Sequence, residues 1–332
     1  MGNQVDDNAR PGEFDLIARY FAPLANSSGA FGLRDDAALV DISPGARLVV
    51  TQDAVASGVH FFADDPPDLV ARKALRVNLS DLAAKGARPT AFSLALGLWD
   101  GWDEAWLSSF ASGLGEDCAR FGITLTGGDT FRSPGGLVVS ITAFGEITDG
   151  DYVSRLGASP SDTLFVTGTI GDGALGLKVR SGELITNDTD AALLRQAYWL
   201  PNPPVAFAPL IARYASASMD ISDGFLGDLR KLAAGSDVGF DIPASRVPLS
   251  REVATLAENR PDILASAFSG GDDYQILFTV PQSRVARFEQ EAQKGDIRVT
   301  ALGQANANAG VVAISGPDGA PLALASESWN HF

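Results

Sequence analysis

Residues Met219–Leu229 read MDISDGFLGDL. An apolar run leads in and a glycine interrupts it. Phe225, Leu226, Leu229, Leu232 and Ala233 then recur at the spacing of one buried helix face. The segment is expected to be strand, sharp turn and helix, with Asp220 and Asp223 crowded at the turn. A helix start presents unpaired N–H groups and the positive end of the dipole, which suit an anion. Two carboxylates at that spot repel an anion unless a cation lies between them. The expectation is half of a magnesium–phosphate site, with aspartate-rich turns upstream supplying the rest. Asp228, one and a half turns down the helix, is expected to be a solvated or structural residue.

The chain has 332 residues, for a prior of about two domains. An apolar fraction of 45% and 35 glycines fit large cores joined by tight turns. No apolar run approaches the roughly 18–20 residues needed to span a membrane. The start, MGNQVDDNARPGEF, lacks a basic-then-apolar signal, and Asp6 stands where a myristoylation motif wants Ser or Thr. Cys118 is the single cysteine, which excludes a disulfide framework and a thiolate metal cluster. The expected location is cytoplasmic. A formal net charge of −16 argues against nucleic acid or an anionic membrane as partner. It does not oppose phosphate ligands, because carboxylates hold Mg²⁺ and the metal holds the phosphates.

Taken in order, Glu13–Ala25 reads as an amphipathic helix with Phe14, Ile17 and Phe21 on one face. Strand-like segments follow at 35–40 and 47–51, the second running into Thr51-Gln52-Asp53. A long helical pattern spans about Pro67 to Gly86 and contains Asp81. A strand at Thr90–Leu98, a helix at Glu104–Phe121 and a short strand at Ile123–Thr126 lead to the turn Gly127-Gly128-Asp129-Thr130. After a strand at Leu137–Phe144 a domain boundary falls near residue 150, giving domains 1–150 and 151–332. The second half mixes strands (163–167, 216–221, 238–242, 275–280, 299–302, 311–314) with helices (171–179, 191–200, 207–214, 225–234, 284–294). The alternation is not strict, so the class is α+β rather than doubly wound.

Gly171-Asp172-Gly173-Ala174-Leu175-Gly176 matches the dinucleotide fingerprint G-x-G-x-x-G. It sits mid-chain and no clear second parallel strand follows, so a glycine-rich helix start is the better reading. There is no P-loop, and with only His60 and His331 there is no basis for a zinc site or a Ser-His-Asp triad. What stands out is a series of acidic turns: Asp35-Asp36, Asp53, Asp81, Asp129, Asp220/Asp223 and Asp272-Asp273. Each alone reads as a cap or turn residue. Together they gather at strand and helix ends, and such hard oxygen donors favour Mg²⁺.

The order and wording of these segments resemble the thiamine-monophosphate kinases of the aminoimidazole-ribonucleotide-synthetase-like superfamily. The likeness covers nearly the whole chain, through DDAAL, KALRVNLSDLAAKGARP, TGGDT, VTGTIGDGALGL, MDISDGFLGDL, SGGDDYQILF and the terminal WNHF. It implies ATP-dependent phosphorylation of thiamine monophosphate to thiamine diphosphate. It also implies two α/β domains, the N-terminal one binding ATP and magnesium and forming a homodimer contact, the C-terminal one closing the cleft. By matched position, the resemblance puts magnesium ligands at Asp36, Thr51, Asp53, Asp81, Asp129, Asp220 and Asp223, with Asp35 adjacent. ATP contacts fall on Gly128, Asp129, Arg155 and Ser222. Thiamine-phosphate contacts fall on His60, Asp272 and Trp329, whose aromatic face suits a cationic thiazolium. No side chain receives a catalytic role.

The family pattern is broken in places: Arg34 stands for a usual Gly, Gln52 for Thr, Lys85 for Met, Phe131 for Thr and Asp272 for Glu. Selenophosphate synthetase would want a reactive residue near the N-terminus and the hydrogenase-maturation relative a C-terminal cysteine; Cys118 is neither. The alternatives are thus another ATP-using member of the superfamily, or a non-enzymatic divalent-cation-binding protein.

Overall fold

The computed structural model describes residues 11–258, 260–316, 319, 320 and 322. Internal contacts separate two units. The first holds the chain up to Ile42, Val50–Leu75 and Thr90–Phe144; the second holds Ser43–Val49, Arg76–Pro89 and the chain from Gly145 onward.

The first unit begins with a helical segment that changes pitch twice. α1 (Glu13–Leu16) passes into a π turn at Ile17–Phe21 and a 3-10 turn at Ala22–Leu24. The single helix expected over Glu13–Ala25 is therefore broken, and Pro23, which has no N–H to donate, sits in the tightened last turn. Its expected apolar face also fails: Leu16 and Phe21 are buried while Phe14 is 85% exposed. The strand expected over 35–40 is irregular chain. Leu39 N–H donates to the Gly29 carbonyl, but Leu39 itself points outward and finds no core to bury it.

β1 (Arg47–Ala56), α2 (Pro67–Ala84), β2 (Arg88–Leu98), α3 (Glu104–Phe121), β3 (Thr124–Arg132) and β4 (Val138–Ile147) follow. The strands form one sheet in the order β1-β4-β2-β3. α3 is a well-delimited helix: Asp103 caps it by accepting from Trp106 N–H, and Gly122 ends it in the left-handed region. Phe110 and Leu114 of α3 are buried, as are Phe92 and Leu96 of β2 and Ile141 of β4. β2 and β3 run parallel, with a register shift that leaves Thr126 as the extra residue of a bulge.

The second unit adds β5 (Thr163–Thr167), α4 (Asp172–Ser181), α5 (Asp188–Trp199), α6 (Ala208–Tyr214), β6 (Ala217–Asp220), α7 (Phe225–Gly235) and β7 (Gly239–Pro243). It continues with α8 (Arg251–Ala257), α9 (Pro261–Ser269), β8 (Ile276–Val280), α10 (Gln282–Ala292), β9 (Val299–Asn306) and β10 (Val312–Ser315). The sheet order is β10-β7-β9-β5-β8-β6. β5 is antiparallel to β8 and β9, β6 to β8 and β7 to β9; β10 alone runs parallel to its neighbour. That pattern is α+β, as expected. Alternation on β6 and β8 splits two cores. Met219 and Leu277 face the helices α7 and α9, while Ile276 and Phe278 face Ala83, Ala84, Phe207 and Phe288. Among the described residues no helix is long and apolar enough to cross a membrane.

Candidate active site

In the first unit a cleft of about 140 Å³ is lined by Asp35, Asp36, Leu94, Gly127, Gly128, Asp129 and Thr130, with Ile17 and Phe21 of the π turn behind them. Asp35 and Asp36 reach it on irregular chain, where Asp36 N–H donates to the Asp35 carboxylate. Asp129 reaches it from within a strand. The turn expected at Gly127–Thr130 is instead the middle of β3, paired with β2 from Ser93 to Leu96. The glycines permit this: a Cβ on Gly128 would lie 1.8 Å from the Leu94 carbonyl oxygen. Three aspartates and a side-chain-free stretch of backbone thus line one cleft.

Thr51 and Asp53 lie elsewhere. They share one face of β1 with the buried Val49 and Val55, and Gln52 points to the other face, where its amide donates to Ser140 Oγ. Gln52 is therefore not aligned with Thr51 and Asp53. β1 and β3 are opposite edges of the sheet, three strand spacings or roughly 14 Å apart. His60 Nδ1 accepts from Ala56 N–H, which assigns the ring proton to Nε2, and the His60 carbonyl accepts from Lys73 Nζ.

In the second unit, Asp220 at the end of β6 accepts from Ser80 Oγ at 2.8 Å, and Asp81 is the next residue on α2. Lys85 Nζ donates to the Ser218 carbonyl at 2.6 Å. Burial pulls the Lys85 ammonium below its ordinary value, Asp220 and Asp81 oppose that, and Arg155 reinforces it. Asp81, Lys85, Arg155 and Asp220 thus form one charged group, with Ser80 hydrogen-bonded to Asp220. At the turn after β6 the chain supplies an ammonium of its own. Asp223 carboxylate pairs with Lys231 at 2.5 Å, and the same ammonium binds Asp228 at 2.8 Å. Asp228 is not solvated. It is 1% exposed, and its carboxylate reaches back to accept from Ser222 N–H and Asp223 N–H. It therefore satisfies two backbone donors of the turn that precedes α7. Burial raises the Asp228 carboxyl, opposed by Lys231. Burial also lowers the Lys231 ammonium, but its hydrogen bonds to Asp223 and Asp228 outweigh that and hold it above its ordinary value.

The loop 270–275 carries Asp272 in the left-handed region at φ 70°, with Tyr274 likewise at φ 50°. Asp272 N–H donates to the Ser222 carbonyl, Tyr274 N–H to the Ile221 carbonyl, and Tyr274 OH to the Asp272 carboxylate. The G-x-G-x-x-G segment opens α4 after a strand, but the sheet there is antiparallel. Its donors are spent inside the chain: Gly171 N–H and Gly173 N–H both donate to the buried Asp273 carboxylate, at 2.8–3.2 Å. Burial pushes Asp273 well above the ordinary carboxylate range, partly offset by those backbone donors.

Among the described residues no three His, Cys, Asp or Glu side chains stand grouped as a metal cage. The donors are nonetheless carboxylates and hydroxyls, hard oxygen ligands of the kind Mg²⁺ takes. Cys118 is buried and its thiol is pushed up to about 12, which removes it as a nucleophile. Trp329 lies outside the described residues, as do His331 and the first ten residues.

The chain matches the AIR synthase related protein N-terminal domain over residues 34–147 and the corresponding C-terminal domain over residues 159–315. It is 42% identical to thiamine-monophosphate kinase of Caulobacter vibrioides, over 97% of this chain and 92% of that protein. It is 37% identical to the Escherichia coli K12 enzyme of the same name, over 97% and 98%. A crystal structure of thiamine-monophosphate kinase from Stenotrophomonas maltophilia K279a aligns with TM-score 0.78 at 35% identity, covering 87% of this chain and 90% of that one. AaThiL complexed with AMPPCP and TMP aligns with TM-score 0.76 at 31% identity, over 97% of both chains. Hydrogenase maturation protein HypE in complex with ATP aligns with TM-score 0.75 at 18% identity over 95% of both chains, a likeness of fold alone.

Proposed function

This chain belongs to the AIR synthase related protein family, and from its likeness to the thiamine-monophosphate kinases within it we infer that it phosphorylates thiamine monophosphate to thiamine diphosphate with ATP. The observation that carries this is 42% identity, over nearly the full length, to an enzyme of that name, joined to a structural neighbour that holds AMPPCP and TMP. ATP consumption by the purified chain is expected to depend on added thiamine monophosphate. Consumption without it, or none with it, would overturn the assignment.

The chemistry asks little of a general base. A phosphate oxygen of thiamine monophosphate is already anionic near neutral pH and attacks the γ-phosphorus in line. The protein's task is to position two anions and screen their charge. Magnesium ions, when bound, supply most of that screening. We assign Asp36, Thr51, Asp53 and Asp129 of the first unit, and Asp81, Asp220 and Asp223 of the second, as their ligands. Gly128, Asp129, Arg155 and Ser222 are assigned to ATP; His60, Asp272 and Trp329 to thiamine monophosphate. The neutral His60 tautomer, with Nε2–H as donor, suits a phosphate oxygen. The domains proposed are residues 1–150, for ATP, magnesium and dimer contacts, and residues 151–332.

We propose that the chain is a cytoplasmic homodimer. Leu48 and Val50 on β1 are 43% and 53% exposed, on a strand at the edge of the sheet, which is the kind of surface a second copy covers. The wide separation of Asp53 from Asp129 across the sheet supports the same reading, because a cation bound by both then needs one residue from each copy.

A further inference from the structure

The glycine motif at residues 171–176 binds no dinucleotide in the function above, and its donors are taken by Asp273. The surrounding contacts assign that pairing a use. The loop 270–275 packs between two strand-to-helix turns, 170–173 and 221–224. A Cβ on Gly173 would meet the Asp272 carbonyl oxygen at 2.2 Å, one on Gly224 the Ser269 carbonyl oxygen at 2.5 Å, and one on Gly271 the Ser222 carbonyl oxygen at 2.1 Å. The loop therefore lies flush on both turns, and small residues on each side make the contact. Two residues next to Asp273, Asp272 and Tyr274, are held in the left-handed region that non-glycine residues avoid. Something must hold that conformation in place. Asp273 is 7% exposed and the most deeply anchored carboxylate of the loop, with both oxygens accepting from the start of α4.

We propose that Asp273, clamped by Gly171 N–H and Gly173 N–H, is a positioning residue that fixes the Asp272 carboxylate for the thiamine end of the substrate. The motif that resembles a dinucleotide fingerprint thus serves specificity for the acceptor, with a carboxylate of the chain itself occupying the place of a phosphate. This rests on the assignment of Asp272 to thiamine monophosphate. The Ser222–Asp223 turn has its own anchor, with Ser222 N–H and Asp223 N–H both donating to Asp228, so loss of the clamp is expected to act on thiamine monophosphate and spare ATP.

The test compares Asp273→Ala, Asp273→Asn and Asp272→Ala by steady-state kinetics with both substrates. Asp273→Ala is expected to raise the Michaelis constant for thiamine monophosphate by about tenfold, the scale of one misplaced hydrogen bond to a charged group. Asp273→Asn keeps one acceptor oxygen for the glycine donors and is expected to recover part of that loss. The Michaelis constant for ATP is expected to hold in both. If Asp272→Ala weakens thiamine monophosphate while both Asp273 variants leave it unchanged, or raise both constants alike, Asp273 is not a positioning residue. If Asp272→Ala leaves thiamine monophosphate unaffected, the assignment of Asp272 itself falls, and the role of Asp273 falls with it. Should Asp273→Ala fail to fold, Asp273→Asn against Asp272→Ala decides the question alone.

Discussion

Asp129 and Asp228 are both aspartates near glycine-rich turns, yet they do opposite work. Asp129 lines an open cleft beside Asp35 and Asp36, whereas Asp228 is sealed beneath Ser222 and Asp223. Asp129→Asn and Asp81→Asn are expected to cut turnover by about two orders of magnitude or more, the scale of losing several kcal/mol of charge stabilisation, with circular dichroism unchanged. Asp228→Ala is expected to cost about 2 kcal/mol in urea unfolding, because two backbone donors lose their acceptor while the half-buried Lys231 regains water. The two classes were only partly separable in the sequence. The spacing of Asp220 and Asp223 marked the turn, but the depth of Asp228 depends on how α7 packs. The Lys231 pairing has a local sign in the sequence, three residues on from Asp228.

At the scale of elements, the start of α4 gathers two carboxyls that burial pushes upward, Asp172 and Asp273. A carboxyl whose value is raised on folding holds its proton more tightly in the folded chain than in the unfolded one. Its contribution to stability is full below the ordinary carboxylate range and is lost as pH climbs through the raised value. Unfolding midpoints measured from pH 4 to pH 8 are expected to fall with pH for this reason, and Asp172→Asn to flatten that fall. A slope unchanged in the variant would show that Asp172 takes no part. Elements whose pattern is local were legible: β5 falls where the apolar run Thr163–Thr167 put it, and α3 runs between its aspartate cap and its glycine. Elements set by distant neighbours were not. β3 continues through two glycines because β2 lies alongside to pair with them. The chain at 35–40 looks like a strand but is irregular, and Gly171 finds its acceptor 102 residues away. α8 and α9, of 7 and 9 residues, are too short to show a helical period.

For the molecule as a whole, the family and the α+β class could be read from the order of motifs, while the placement of the motifs on the sheet could not. Periodicity says that 47–51 and 123–126 are strands; only the pairing β1-β4-β2-β3 puts them at opposite rims. That placement makes a test by mixing inactive chains possible. If each site draws Asp53 from one copy and Asp129 from the other, a hybrid of Asp53→Asn and Asp129→Asn chains collects both lesions in one site and leaves the second intact. Random reassortment of the two inactive preparations would then restore about a quarter of native turnover, since half the dimers are hybrids and each hybrid has one good site of two. Sites built within single chains would stay silent in every mixture, so a simple mixing assay separates the two arrangements without a structure of the dimer.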